Sequence, residues 1–289
     1  MDILVFGHSG QVATELRMLA TDKLRITTLD RAAADLTDAA ACAAAISKHA
    51  PDAVINAAAY TAVDRAEEDE ATARLINADA PAAMAQACAD RGIPFVTIST
   101  DYVFAGDGDT PWQPHDPTGP MGAYGRTKLA GEQAVAAAGG TWAVLRTSWV
   151  VSAHGNNFVK TMLRLGAERD MLTVVDDQIG GPTGAAEIAL ACVTIAQKLV
   201  TAPELSGLYH FAGAPDTSWA DFARGIFEKS GIECEVTGIP SRDYPTPATR
   251  PLNSRMDCSK TTASFGIKRP DWRTSLDEIL AQLAQSDAT

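Results

Sequence analysis

Cysteine is scarce and scattered in this sequence. The five cysteines among 289 residues are odd in number, and no two of them form a C-x-x-C pair. Small secreted domains that depend on disulfides carry dense, paired cysteines, and zinc sites need closely spaced ligands. The pattern therefore argues against a disulfide framework and against a zinc site. We expect ordinary buried thiols, as in a protein of the reducing cytoplasm.

Positive charge and long apolar runs are also lacking. The chain has 24 Lys and Arg against 36 Asp and Glu, a net charge of -12 and a pI near 4.8. Such a surface argues against binding a phosphate backbone, so we expect no nucleic-acid partner, while a local pocket for one nucleotide stays open. No apolar run approaches the roughly 20 residues of a membrane span, and no basic leader follows Met1. We expect a soluble, unprocessed cytoplasmic protein with no membrane partner.

The amino-terminal segment contains the pattern of a strand, a glycine-containing turn and a helix. An apolar run at residues 3–6 ends on Gly7, and an amphipathic stretch follows from Gln11 to Leu19. Glycines let the backbone bend close to a pyrophosphate, and the helix N-terminus offers free N–H groups. Ala13 takes the place of the third glycine of the usual fingerprint, which a close contact between helix and strand tolerates. The segment predicts a dinucleotide-binding turn.

The end of the second predicted strand bears on the choice of cofactor. Residues 24–29 lead into Asp30 and Arg31, roughly twenty residues beyond the turn. The Asp30 carboxylate can accept a hydrogen bond from a ribose 2′-hydroxyl, which favours NADH. The Arg31 guanidinium can instead receive the 2′-phosphate of NADPH. The sequence leaves both cofactors open.

Strands and helices alternate through the first half of the chain, which predicts an α/β fold. Further strands are expected at residues 53–55 and 95–98, and a long helix at residues 70–90 with a kink at Pro81. This order indicates a Rossmann-like doubly wound parallel sheet with a smaller C-terminal substrate-binding part. We assign residues 1–150 to the NAD(P)-binding domain. Residues 151–289 are assigned mainly to substrate binding, with some segments returning to the sheet.

Tyr124 and Lys128 form the most informative pair of residues. They lie four apart at the start of a predicted helix, so both project from the same face. An ammonium group beside a phenol favours the phenolate and lowers its pKa, so the pair suits carbonyl reduction or alcohol oxidation. The spacing of Tyr124 and Lys128 alone is weak support for such an acid/base pair. Gly7, Asp30, Ala57 and Thr100 also follow predicted strands, and the carboxyl ends of parallel strands meet at one edge of the sheet.

With these motifs in place, the sequence resembles the dTDP-4-dehydrorhamnose reductase family of the extended short-chain dehydrogenase/reductase superfamily. The resemblance rests on blocks that cover nearly the whole chain in order, at residues 7–12, 56–64, 99–104, 124–132, 146–150, 155–162, 177–183 and 245–254. The sequence departs from the usual family pattern at Val151, where tyrosine is common, and at Ala13, which replaces a glycine.

The resemblance implies reduction of the C4 ketone of a nucleotide-linked 6-deoxysugar, dTDP-4-dehydro-L-rhamnose, by hydride from NADPH or NADH. Tyr124 would donate the proton, Lys128 would bind the nicotinamide ribose and hold down the pKa of Tyr124, and Thr100 would contact the reacting oxygen. The cofactor would be lined by Gly7, Gly10, Gln11, Val12, Asp30, Arg31, Asp35, Leu36, Ala59, Tyr60, Thr61, Tyr124 and Lys128. The sugar nucleotide would be lined by Val63, Thr100, Asp101, Tyr102 and Trp149.

The resemblance also allows other partners and other functions. It is compatible with a monomer or a homodimer, and with a magnesium ion at a dimer interface held by Glu15 and Glu187. Arg250, in a proline-rich segment, is either a surface charge or a contact for the substrate diphosphate. One alternative function is a non-catalytic homologue like the regulatory subunit of methionine adenosyltransferase. Another is a sugar-nucleotide epimerase or dehydratase that retains its cofactor through the cycle.

Overall fold

The computed structural model describes residues 1–287 and shows alternating strands and helices. The strands of this range are β1 (Asp2–Phe6), β2 (Arg25–Leu29), β3 (Ala53–Asn56), β4 (Phe95–Thr100), β5 (Trp142–Thr147), β6 (Val150–Val151), β7 (Met171–Val175), β8 (Ile179–Gly180), β9 (Thr183–Gly184), β10 (Gly207–His210), β11 (Thr217–Ser218), β12 (Glu235–Ile239) and β13 (Asn253–Ser254). The α-helices are α1 (Gln11–Met18), α2 (Ala39–His49), α3 (Val63–Ala66), α4 (Glu70–Arg74), α5 (Ala80–Arg91), α6 (Ala123–Ala138), α7 (Phe158–Glu168), α8 (Ala185–Thr201), α9 (Trp219–Ser230), α10 (Ser259–Phe265) and α11 (Trp272–Asp287).

A six-stranded parallel sheet forms the centre of the molecule. Its strand order is β10-β5-β4-β3-β1-β2, and each neighbouring pair is parallel. The predicted doubly wound fold is confirmed. The chain reverses its direction of winding between β1 and β3, and in such sheets ligands bind beyond the carboxyl ends of the strands at this point. The fold thus places the binding crevice next to Gly7 and Ala57.

Helices cover both faces of the sheet and bury its apolar residues. On one face α1 and α8 contribute Leu16, Ile188 and Ile195 to a core that includes Ile55 and Leu145. Each such aliphatic side chain stabilises the fold by about 1.5–3 kcal/mol when fully buried. Helices α2, α5 and α6 cover the other face. This packing holds α6, which carries Tyr124 and Lys128, firmly against the sheet.

The second half of the chain builds a separate core and also returns to the main sheet. Phe222, Phe227, Trp272 and Leu276 pack together between α7, α9 and α11 and the parallel pair β7 and β12. Strand β10 pairs with β5 at the edge of the main sheet, and α8 covers one of its faces. The division into domains at residue 150 stays a prediction.

The helical segment at residues 70–91 is interrupted just before Pro81, where we expected a kink. Helices α4 and α5 are joined by a π-helical turn, Leu75–Asp79, in which the Ala80 N–H donates to the Leu75 carbonyl. Pro81 has no N–H to give to the Asn77 carbonyl, as a continuous α-helix would require. Gly131 of α6 packs against that carbonyl, where an added Cβ would lie 2.1 Å from the oxygen. The predicted kink therefore occurs as a π turn just before Pro81 and lets α6 approach closely.

No helix within residues 1–287 is both long enough and apolar enough to cross a membrane.

Candidate active site

A cleft of about 660 Å³ opens at the carboxyl edge of the sheet, beside the point where the winding reverses. It brings together residues that are distant in sequence and that follow different strands. The predicted site residues in its wall are Gly7, Gly10, Gln11, Val12, Asp30, Arg31, Asp35, Leu36, Ala59, Thr61, Val63, Thr100, Asp101, Tyr102, Tyr124, Lys128 and Trp149. Their roles stay predictions, but the structure brings them together around one cleft.

Tyr60 is the predicted site residue that does not line this cleft. Its ring packs with Ala66, Ala73 and Tyr124 behind the wall. Its backbone N–H donates to the Asn77 side chain at 2.9 Å, and the Asn77 amide donates back to the Tyr60 carbonyl at 3.2 Å. In this structure Tyr60 supports the cleft wall rather than forming part of it.

The cleft wall also contains residues that the sequence analysis did not assign. These are chiefly His8, Ser9, Ser99, Thr147, Ser148, Gly155 and Asn156. Thr147 is the last residue of β5 and Ser148 follows it, so the rule that placed Thr100 at the end of β4 could have found them. Their hydroxyls are buried and form no hydrogen bond within residues 1–287. Because buried hydroxyls normally have partners, these two are suited to bind a polar ligand in the cleft.

Lys128 is almost completely buried in the cleft wall, with 5% of its surface exposed. Its Nζ donates to the Ile98 carbonyl at 2.6 Å. Burial lowers the pKa of Lys128 to about 8, and the charge of Glu132 opposes this shift. The side chain is therefore mainly a protonated ammonium group at neutral pH, and it loses this proton as the pH rises through about 8.

Tyr124 lies one helical turn before Lys128 on α6, and both residues line the cleft together with Thr100. Burial raises the pKa of Tyr124 to about 12, the neighbouring Thr100 hydroxyl opposes this shift, and the Asp101 carboxylate adds to it. We expected Lys128 to lower this pKa, but in this structure the pKa is raised, and burial is the largest cause. The phenol is protonated at neutral pH, as a proton donor must be.

Asp101 places a buried carboxyl group beside this pair, with 2% of its surface exposed. Its Oδ1 accepts from the Thr100 hydroxyl at 3.0 Å, and its Oδ2 accepts from the Ser254 hydroxyl at 2.5 Å. No lysine, arginine or histidine of residues 1–287 pairs with it. Burial raises the pKa of Asp101 to about 6, against the effect of the two hydroxyl groups.

A buried ion pair lies behind Lys128. Glu132 accepts from Arg146 Nη2 at 2.5 Å and Nε at 2.9 Å, and from the Ser99 hydroxyl at 2.5 Å. Arg146 also donates to the Pro114 carbonyl at 3.0 Å. These bonds join α6 to β4, to β5 and to the loop that precedes α6. The sequence analysis did not identify the pair, because nothing in local spacing relates residue 132 to residue 146.

Trp149 lines the cleft in an unusual backbone conformation, with φ at 50°. A bulky residue rarely adopts positive φ, and such strain persists only where the surroundings enforce it. Its indole stacks on Trp219 of α9, with ring centroids 3.6 Å apart. The C-terminal part of the chain thus fixes one side of the cleft through this pair of indoles.

Of the two possibilities raised for charged residues, magnesium binding finds no support. Within residues 1–287 no group of three or more His, Cys, Asp or Glu side chains could hold a metal ion. Glu15 contacts His154, and Glu187 accepts a hydrogen bond from Ser275. Arg250 forms a bidentate ion pair with Asp64, with both N–O distances at 2.7 Å. Its contact with a substrate diphosphate stays a prediction.

Comparison with known proteins gives consistent matches over the full length. The model of the RmlD substrate binding domain family matches residues 1–285. A dTDP-4-dehydrorhamnose reductase of Sinorhizobium fredii is 44% identical over 286 residues, which are 97% of each chain.

Solved structures agree with the sequence matches. A dTDP-4-dehydrorhamnose reductase of Clostridium acetobutylicum superposes with a TM-score of 0.91 at 36% identity, over 98% of this chain and 100% of the other. The enzyme of Bacillus anthracis, solved in complex with NADP, gives a TM-score of 0.90 at 32% identity, over 97% and 99% of the two chains.

Proposed function

The chain belongs to the RmlD substrate binding domain family, and from this membership and the cleft geometry we propose that it reduces the C4 ketone of dTDP-4-dehydro-L-rhamnose to give dTDP-L-rhamnose. One observation supports this above the others. Tyr124 and Thr100 lie with Lys128 in the wall of a single cleft at the switch point of a parallel sheet.

Each of these three residues has a distinct part in the reaction. Tyr124, whose phenol is protonated at neutral pH, donates its proton to the oxygen of the ketone. Thr100 hydrogen-bonds the same oxygen as negative charge develops on it. Lys128 binds the ribose next to the reacting ring of the cofactor, for which its cationic form is suited. Trp149, held by Trp219, limits the position of the sugar.

The residues of the cleft fit a nicotinamide dinucleotide, which supplies hydride when bound. Gly7 has φ of 114°, and a Cβ there would lie 3.4 Å from the backbone of Ala57 and Ala58, so a side chain would narrow the space between the turn and β3. The unpaired hydroxyls of Thr147 and Ser148 offer partners for polar groups of the ligand. NADPH and NADH both remain compatible with this cleft.

Arg31 should discriminate between the two cofactors. Its side chain is largely exposed and its Nε donates to Asp35 at 3.1 Å, so it can turn toward a 2′-phosphate at little cost. We expect Arg31→Ala to raise the KM for NADPH by about tenfold and to leave the KM for NADH within about twofold, since one exposed charge-assisted contact is lost. Steady-state kinetics with each cofactor measure this. Asp30→Ala is the matched control and should raise the KM for NADH more than the KM for NADPH. Equal changes of the two KM values in Arg31→Ala would contradict the assignment of Arg31 to the 2′-phosphate of NADPH.

Stoichiometry tests the proposed function against its alternatives. Purified protein with dTDP-4-dehydro-L-rhamnose should oxidise one NADPH or NADH for each sugar that is reduced. An epimerase or dehydratase would alter the sugar without net oxidation, and a non-catalytic homologue would bind cofactor without turnover. Absence of cofactor oxidation under conditions in which a characterised reductase works would reject the proposal.

A further inference from the structure

His8 of the glycine-containing turn lies in the cleft wall, although the proposed reaction gives it no part. Its Nδ1 lies 2.8 Å from the Thr28 hydroxyl of β2, and its Nε2 lies 3.0 Å from Nη1 of Arg17 in the last turn of α1. A guanidinium only donates hydrogen bonds, so Nε2 accepts from Arg17, and Nδ1 carries the ring proton that it donates to Thr28. His8 therefore joins the cleft wall to α1 and fixes one edge of the Arg17 guanidinium.

Arg17 is exposed, and no aspartate or glutamate of residues 1–287 forms an ion pair with it. By contrast, Arg31 at the end of β2 pairs with Asp35. The Arg17 guanidinium has further N–H donors, in a rigid fork that matches the geometry of a phosphate. In a chain of net charge -12, such an arginine beside a nucleotide cleft is suited to bind an anionic group of the ligand.

The neighbourhood of His8 indicates which phosphate Arg17 can reach. Strands β1 and β2 are adjacent and parallel, so the turn after β1 faces the end of β2, where Asp30 and Arg31 line the cleft. In dinucleotide-binding folds the first turn holds the pyrophosphate, and the residues after β2 hold the adenosine ribose and its 2′ substituent. Asp30 Oδ1 accepts from the Ala33 N–H at 2.9 Å, so this carboxylate is partly engaged within its own turn. Arg17 and Arg31 therefore approach the expected position of a 2′-phosphate from α1 and from the end of β2.

We propose that Arg17, oriented by His8, binds the 2′-phosphate of NADPH and gives the cleft a preference for NADPH over NADH, an inference that rests on the cofactor of the proposed function. Arg17 keeps Nη1 on His8 and donates from the rest of its fork to the phosphate oxygens. Arg31 adds a second cation at the same phosphate. His8 touches the arginine and not the phosphate, so it is a positioning residue.

Two adenosine nucleotides that differ only in the 2′-phosphate isolate this contact. Isothermal titration calorimetry of the full-length protein with adenosine 2′,5′-bisphosphate and with adenosine 5′-monophosphate needs no sugar and no hydride transfer. Wild-type protein should bind the bisphosphate more tightly. In Arg17→Ala the Kd of the bisphosphate should rise about tenfold, because a charge-assisted contact is lost, and that of the monophosphate should change by less than about twofold. Titrations of NADPH and NADH fluorescence should repeat this contrast.

Two further variants separate the orientation of Arg17 from a general effect of charge. Arg25→Ala removes an exposed arginine at the amino end of β2 and should leave both Kd values within about twofold. His8→Ala should raise the Kd of the bisphosphate about threefold, because Arg17 loses its fixed orientation. Combined with Arg17→Ala, the same substitution should have no further effect, since His8 acts through the arginine.

Each other outcome decides against the inference. An unchanged Kd of the bisphosphate in Arg17→Ala would overturn it, and so would equal weakening of both nucleotides, which indicates that the turn itself is disturbed. A further loss from His8→Ala in the protein that already lacks Arg17 would overturn the positioning role of His8. A protein that shows the expected contrast but oxidises no NADPH with the sugar instead rejects the proposed function and leaves this inference in place.

Discussion

Replacing Tyr124 with phenylalanine will lower kcat by about 10²–10⁴-fold, the usual contribution of a positioned general acid, while NADPH affinity changes by less than about threefold. The variant removes the proton donor and keeps the ring. That ring lies edge-on to Tyr102, with centroids 5.4 Å apart, and packs against the cluster of Ala66, Ala73 and Ala123. The cleft should therefore keep its shape. Steady-state kinetics and a titration of NADPH fluorescence separate the two effects.

Tyr209→Phe is the matched control for this prediction. Tyr209 is also a buried tyrosine, but it lies on β10, and its hydroxyl donates to the Leu205 carbonyl away from the cleft. Removing that hydroxyl should cost about 1 kcal/mol of folding stability and leave kcat nearly unchanged. Activity of Tyr124→Phe close to that of the Tyr209→Phe control would show that another group donates the proton.

The second prediction with a large expected effect concerns the folding stability of the protein. Arg146→Ala should lower the free energy of unfolding by about 3–5 kcal/mol, because it leaves Glu132 as a buried carboxylate without its cation. Glu132 and Arg146 are 4% and 2% exposed. The substitution also removes the bond to Pro114 and the contact of the guanidinium with the Phe104 ring, 4.9 Å away. Unfolding in denaturant, followed by circular dichroism, measures the change.

Two controls separate the charge from the packing. The double variant Arg146→Met with Glu132→Gln removes both charges and keeps an acceptor for Ser99, so it should recover most of the lost stability. Arg126→Ala breaks the exposed pair with Glu70 and should change stability by less than about 1 kcal/mol. A loss in Arg146→Ala no larger than that in Arg126→Ala would contradict the assigned role of the buried pair.

The sheet and its edge could be predicted from the sequence because the signals are local. The strands predicted from short apolar runs end at residues 6, 29, 55 and 98, and the structure ends β1, β2, β3 and β4 within two residues of these positions. Strand polarity then places the residues that follow at a common edge. Nearly all predicted site residues meet there for this reason.

Features that depend on distant residues could not be predicted in this way. The bond from Ser254 to Asp101 joins residues 153 apart in sequence, and that between Arg146 and Pro114 depends on the path of a loop. Tyr60 follows a strand just as Ala59 does, but its side chain turns behind the cleft wall. Burial determines the direction in which the pKa of Tyr124 shifts, and helical spacing does not reveal burial.

The most direct test of the central claim follows the hydride itself. Protein incubated with dTDP-4-dehydro-L-rhamnose and NADPH carrying deuterium at the transferable position of the nicotinamide should give dTDP-L-rhamnose with one deuterium at C4, detected by NMR and mass spectrometry. The oxidised cofactor should have lost its label. Deuterium that stays on the cofactor while the sugar is altered, or a product without deuterium at C4, would contradict the claim that this cleft reduces the ketone by hydride transfer.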